Sequence, residues 1–354
     1  MSSVRSVTHR HLTLIVGLTL LLTVTAFAPR LWLMRGPVPG SYQWSRALGY
    51  LDQCAQPLRP DVELAMRWRL LPPAVAHVLM LPGRVPLVIP WIGVIALTAY
   101  VAVLFRRRLD DRDFVLGGTL LVATTSAVLV PVTWLGVNDA WAWLALLAVA
   151  FGRGRWTVPL ALLLGPWIDE RFLIALPLAW LTRQADKGAD GTRPRDLGWI
   201  LPYLVIRGAV TLATVHGGTA ETAFVARQTA YLAHMAANLP FGWWMGLRVA
   251  WLPLAAALVL APAQLRPRWF VLLGLTLVAG SVTAADVSRS IAMLLPVVLL
   301  GCFQFARQRP DLASRALLLA GIANLLIPAA HVVATEIDPI HPLPVELLRL
   351  WHAQ

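Results

Sequence analysis

The chain is short of charge and short of cysteine. Only 14% of its 354 residues are Asp, Glu, Lys or Arg, against 58% hydrophobic, and there are two Cys. A water-soluble domain does not carry that proportion of apolar side chains, so soluble classes are excluded at the outset. Two cysteines, Cys54 and Cys302, form no metal or redox spacing. Cys302 is expected as a small buried hydrophobe, and Cys54 as an unpaired thiol in an external loop. The chain also lacks a linker, an internal repeat and the period-two alternation of a transmembrane barrel. No small-x-small cleavage site follows its first hydrophobic run, which is therefore read as a retained first helix.

What is present is a succession of long apolar runs from end to end, with 16 Trp to anchor helices at an interface. The fold class expected is all-α: a polytopic transmembrane helical bundle forming one integral membrane domain over residues 1–354. The net charge of +12 is read as Arg retained on the cytoplasmic side, not as a nucleic-acid surface. Arg5 and Arg10 place the N-terminus inside. Helix one runs from about Leu12 to Leu33. An external loop over 34–84 follows, with amphipathic pieces SYQWSRALGYLDQ and VELAMRWRLLPPAVAHVLML lying on the outer interface. Helix two spans about Val85 to Phe105 and stops at the triplet Arg106–Arg108. Helix three returns from Phe114 to Leu135.

The stretch from Trp156 to Leu181 could be one long helix, but that would put the basic loop holding Arg183, Lys187, Arg193 and Arg195 outside. The charge rule favours two short helices hinged at WIDER, with Gly165 and Pro166 as breakers. That hinge brings Asp169, Glu170 and Arg171 to the same outer side as Asn138 and Asp139. Broken helices at membrane depth are tolerated where protein or a wet cavity covers them, so a cavity is expected there. Further helices are expected at Trp199–Val215, Phe241–Pro262, Trp269–Ala285, Ser290–Phe305 and Ala316–Val333. About eleven crossings result, with an external amphipathic tail over 334–354.

Most acids not explained by helix ends gather outside: Asp52, Asp61, Glu63, Asp139, Asp169, Glu170, Glu221 and Asp286. Arg46, Arg67, Arg69, Arg171, Arg227 and Arg289 join them. Charges near membrane depth are costly and mark function by default. A carboxylate can take a proton from a hydroxyl, and an Arg can hold a phosphate bidentately. Each also has a plain structural role open to it. The WIDER triad can be a local ion pair, Asn138 an N-cap, Asp286 or Ser288 a cap, and Arg67 and Arg69 lipid anchors. His77, His216, His234 and His331 show no ligand spacing.

The order of these elements resembles the GT-C superfamily of polytopic glycosyltransferases, which take sugars from polyprenyl-phosphate carriers. RWRLLPPAVAHVLMLPGRVPLVIPWIGVIALTAYVAVLFRRR is similar to that family's end of the first external loop and second helix. VPVTWLGVNDAWAWLALLAVAFGRGRW is similar to its third helix, second external loop and short fourth helix. LLLGPWIDERFLIALPLAWL resembles the broken hairpin that follows, and VTAADVSRSIAMLLPVVLL the late segment with an Arg near the carrier phosphate. Together these cover about half the chain. The resemblance implies a catalytic carboxylate early in the first external loop, where this chain has Ser41 and Gln43, with Asp52 the nearest acid.

The function expected is therefore transfer of a sugar from a polyprenyl-phosphate donor to an acceptor at the outer face of the cytoplasmic membrane. Membrane lipids are partners and nucleic acid is not. Asp52, Asp139 or Asp169 would act as the carboxylate, while Arg69, Arg171, Arg289, Glu170 and Asp286 would bind substrate or phosphate. Asp139 and Glu170 offer oxygen ligands for a Mg2+ or Mn2+ ion. Two other readings stay open: a transporter or flippase for a lipid-linked or amphiphilic solute, and a GT-C-like scaffold without activity.

Overall fold

The computed structural model describes residues 7–30, 42–59, 64–187, 193–214, 236–261, 263–283, 286–333 and 336–352. Of the residues singled out above, Arg5, Ser41, Asp61, Glu63, Glu221, Arg227, His216 and His234 lie outside these ranges. So do parts of the expected loop 34–84 and tail 334–354.

The chain forms a helical bundle of membrane type. Among the described residues, five helices are long and apolar enough to cross a bilayer: α1 (His9–Ala26), α4 (Val85–Arg106), α10 (Pro194–Ala213), α11 (Leu239–Leu260) and α13 (Val287–Gln308). A sixth joins them if the bent pair α5 (Arg112–Ala123) and α6 (Ser126–Thr133) is one span. Between and around these lie α2 (Tyr42–Ala55), α3 (Leu71–Val78), α7 (Asp139–Phe151), α8 (Thr157–Trp167) and α9 (Arg171–Lys187). After α11 come α12 (Arg266–Thr283), α14 (Pro310–Leu326) and α15 (Leu343–His352). The core is the packed centre of α4, α5, α7, α9 and α13, with Leu97, Trp143, Phe172 and Leu299 wholly buried. Apolar residues such as Leu14, Leu21, Val205, Leu212, Val259 and Leu275 remain exposed around the outside, the arrangement of a bundle whose solvent is lipid.

Several expected boundaries move, each for a local reason. α1 stops at Ala26, short of Leu33, and the chain then turns so that the Ala28 amide donates to the His341 carbonyl at 2.9 Å. The single helix expected over Phe114–Leu135 is broken and bent by 57° between Ala123 and Ser126. Thr124 and Thr125 turn their hydroxyls back onto the carbonyls of Leu120, Leu121 and Val122, competing with the helix ladder. The last apolar helix ends at Leu326 and not at Val333, since Pro328 cannot continue it. In its place, β1 (Ala329–Val333) pairs antiparallel with β2 (Glu336–Ile340), His331 opposite Asp338. The expected all-helical bundle stands, with one small hairpin added among the described residues.

The helix α11 is interrupted at Arg248, whose φ of 51° is unusual for a residue with a side chain. The reason lies in what its buried guanidinium caps. It donates to Asn324 O at 2.7 Å, to Ile327 O at 2.8 Å and to Thr124 O, the carbonyl ends of α14 and α5. Helix C-termini carry partial negative charge, so these carbonyls serve as its counterion. At one end of the bundle, buried Asp186 joins Arg108 to Arg307, the latter at 3.1 Å, and Arg112 donates to His11 at 2.7 Å. The end that carries the candidate site is the opposite one.

Two close helix approaches depend on glycine. A Cβ on Gly301 of α13 would sit 1.7 Å from the Pro253 carbonyl of α11, and one on Gly117 of α5 2.3 Å from the Leu318 amide of α14. At Gly208 a Cβ meets nothing within 4 Å. The expected outcome is that G301A and G117A each lose about 1–3 kcal/mol or more in thermal unfolding of the detergent-solubilised protein. G208A is expected unchanged or slightly stabilised. Equal melting of all three would contradict the packing.

Candidate functional site

Three separate chain segments build the site. The first is the start of α7. Gly136, at φ 73°, turns the chain beneath Tyr50, which a Cβ would approach to 3.1 Å. Asn138 does not cap α7 with its side chain, contrary to expectation; its amide lies against Gly136 O at 3.5 Å. Asp139 then sits in the first helical turn, where the helix dipole favours an anion. The second segment is the break between α8 and α9. Gly165 fits because a Cβ would come within 2.5 Å of the Phe172 ring, and Asp169 Oδ1 accepts from the Arg171 amide at 3.0 Å to start α9. The third is the first turn of α13, capped by Asp286, which accepts from the Arg289 amide at 2.9 Å and from Ser288 Oγ at 3.0 Å.

These segments meet through their charges. Arg171 donates to Asp139 Oδ1 at 2.9 Å and grips Asp169 with two bonds of 2.8 and 2.7 Å. Arg289 donates through Nε and Nη2 to both oxygens of Asp139, and its Nη2 lies 3.7 Å from Asp169 Oδ2. Arg69, from the segment before α3, places Nε 3.3 Å from the same oxygen. Asp139 and Asp169 are each 1% exposed, Arg171 3% and Arg289 5%. Ions this deep are stable only when paired, and here each carboxylate oxygen accepts at least one guanidinium bond. Burial alone would raise the Asp169 pKa, but Arg171 and Arg69 outweigh it and hold the group well below the ordinary carboxylate range. Arg171 Nη1 is buried without a hydrogen bond at the edge of this lattice.

The rim differs from the lattice. Glu170 keeps 29% of its side chain exposed, and its two ion pairs are loose, to Arg69 at 4.0 Å and to Arg207 at 3.7 Å. Its Oε2 makes no hydrogen bond. Partial burial raises the Glu170 pKa above the ordinary value despite Arg69 and Arg207. Arg207 donates to Tyr203 Oη at 2.6 Å, one turn earlier on α10, and lies 5.5 Å from the Trp68 ring. Trp167 packs edge-on against Tyr203 at 4.8 Å, so aromatic side chains stand beside Arg207 at this rim.

The hairpin braces the site from behind. Ser288 Oγ accepts from the Val332 amide at 3.1 Å, and His331 shares a 2.8 Å hydrogen bond with Thr133. Burial pushes the His331 imidazole down to about 3, so it stays neutral. Arg207 and the aromatic side chains beside it were not anticipated from sequence; of Asp286 and Ser288, each open to a capping role, Asp286 takes it and Ser288 bonds the hairpin. The i, i+4 spacing of Tyr203 and Arg207 on an otherwise apolar helix is the signal that could have found the first.

Asp139, Asp169, Glu170, Arg171, Arg69, Arg289 and Asp286 are thus brought together. Asp52 is not: it lies on the exposed side of α2, facing Arg59 at 3.7 Å, because Ala47, Tyr50 and Cys54 take the buried face. Cys54 forms no disulfide, as expected, and is buried on α2, while Cys302 is buried as expected. The expected Mg2+ or Mn2+ site does not fit either. Both oxygens of Asp139 are taken by guanidiniums, and Glu170 stands between Arg69 and Arg207, so a cation would enter a ring of positive charge. Among the described residues no group of three or more His, Cys, Asp or Glu could hold a metal.

No family model, no curated protein and no solved structure matches this chain.

Arg171→Ala leaves two buried carboxylates short of their main partner, and the expected loss is about 3–5 kcal/mol in detergent unfolding. Asp52→Asn is expected to change stability by less than about 0.5 kcal/mol. Similar effects from the two would contradict the lattice.

Proposed function

We propose that the chain is a membrane transferase that moves a sugar from a polyprenyl-phosphate donor to an acceptor hydroxyl at the outer face of the cytoplasmic membrane. The observation that carries this reading is the division of one charge cluster into a saturated lattice and an open rim. Buried Asp139, Asp169, Arg171 and Arg289 hold one another, and two guanidiniums border them: Arg69, 3.3 Å from Asp169 and 4.0 Å from Glu170, and the partly exposed Arg207, 3.7 Å from Glu170. A loosely paired guanidinium is free to take a phosphate. When the bond from sugar to phosphate breaks, negative charge grows on the phosphate oxygens, and fixed guanidiniums stabilise that charge more than they stabilise the bound donor. Trp68, Trp167 and Tyr203 offer apolar walls for the sugar and for the start of the lipid.

The orientation follows from the positive charges. Arg106, Arg107, Arg108, Arg112 and Arg307 collect at the end opposite the site, the end that the positive-inside rule assigns to the cytoplasm. If the short helices α7, α8 and α9, together with α12 and α14, are counted as crossings along with the five long helices and the bent pair, eleven crossings are reached. Trp and exposed leucine on α15 then lie along the outer interface.

Cells lacking the protein are expected to lose one glycan or glycolipid from their envelope, read by mass spectrometry of extracted lipids and polysaccharides. The native chain should restore it. R69A and R207A, expressed to the same level in the membrane, should restore less than a tenth of it. An unchanged glycan profile in cells lacking the protein would overturn the proposal. Movement of a lipid-linked sugar across proteoliposomes without its chemical change would favour transport instead.

A further inference from the structure

Glu170 is the one carboxylate of the cluster that is partly exposed, lacks a hydrogen bond on one oxygen and is held by ion pairs at the limit of contact. Its two partners, Arg69 and Arg207, are the same guanidiniums that border the lattice. Asp139 and Asp169, by contrast, are each fixed by hydrogen bonds from buried guanidiniums and cannot reach a substrate without breaking the lattice. An anion that draws on Arg69 and Arg207 draws both away from Glu170, and Arg69 also from Asp169.

We infer that Glu170 is the proton acceptor, switched on by the departing phosphate through two guanidiniums that the phosphate and Glu170 share. The inference rests on the transfer reading above and assigns the base within it. The donor is a phosphodiester with one negative charge. The acceptor oxygen attacks the anomeric carbon, and the carbon–oxygen bond to phosphate breaks with its electron pair going to the phosphate. The acceptor's proton passes to a Glu170 oxygen. The leaving phosphate monoester carries a second negative charge, draws Arg69 and Arg207 toward itself and removes them from Glu170. A carboxylate stripped of cationic partners in a half-buried setting binds a proton more tightly. Proton uptake and bond cleavage therefore help each other. The charges facing Glu170 are Asp169 and Arg171 of its own turn, Arg69 before α3, and Arg207 beside Tyr203 on α10.

The test uses the full chain in lipid nanodiscs with two probes: farnesyl phosphate for binding, and a panel of farnesyl-phosphate hexoses and pentoses for turnover. Since the carboxylate competes with phosphate for the same guanidiniums, E170Q should bind farnesyl phosphate severalfold more tightly than the native chain. R69A and R207A should each bind it about tenfold or more weakly. With whichever donor of the panel turns over, E170Q should lose about 10²–10⁴ in kcat without a rise in KM. Thermal unfolding of E170Q should match the native chain, separating loss of chemistry from loss of fold. Weaker phosphate binding by E170Q, or a near-native kcat, would overturn the inference while leaving sugar transfer standing. Absence of turnover by the native chain with the whole panel, alongside the binding order expected here, would instead overturn the transfer reading, and with it the base role.

Discussion

Everything at the site depends on one guanidinium serving two acids. Arg171 reaches Asp139 across 32 residues and Asp169 across two, and so ties the start of α7 to the break before α9. Burying two carboxylates near one another costs several kcal/mol per ion unless cations are interposed, and the like charges would repel. Arg171 and Arg289 are those cations. Their pairing is what allows α8 and α9 to be short and broken at membrane depth, since the polar groups freed by the break are satisfied within protein. In the transfer proposed above, acids held in the lattice do not take the proton, which leaves that role to the rim.

Arg248 shows the same physics with different partners. Three helix-end carbonyls converge on its guanidinium, and Asn324 adds its own side-chain amide and carbonyl to the junction. The bend between α5 and α6 and the end of α14 are thereby satisfied together. A fixed kink of this kind sets the height at which α6 delivers Thr133 to His331 and so supports the hairpin behind Arg289. The chain from Arg248 to Arg289 is built of capped helix ends and hydrogen bonds, alongside two small apolar clusters, Phe27, Leu129, Ala329 and Ile340 in one and Val130, Trp134 and Val137 in the other.

Much of the site was readable before the fold. Charge placement alone put Asp139 and the WIDER turn at one end of the bundle, because the opposite choice would have moved four basic residues across the membrane. Gly165 and Pro166 gave the break. What escaped had weaker local signals. The hairpin is five residues a side and continues an apolar run, so only Pro328 marks where helix gives way to strand. Asp52 was drawn in by its place in the first loop, whereas the spacing of Ala47, Tyr50 and Cys54 already turned it outward. Arg248 and Arg207 are single cations inside apolar helices, and nothing in a linear sequence says which carbonyls or carboxylates will lie beside them. Long-range partners of isolated charges are a property of packing, not of pattern.

Whether ionic side chains far apart in the chain share one buried lattice is decided by a double-mutant cycle between Asp139 and Arg289. These residues are 150 positions apart and joined by two hydrogen bonds. The unfolding free energies of the native chain, Asp139→Asn, Arg289→Gln and the double variant would be measured in one detergent. A coupling of about 1.5 kcal/mol or more is predicted, with the double variant no worse than the poorer single one. Effects that add to within about 0.5 kcal/mol would show that the two residues do not touch, and would contradict the account.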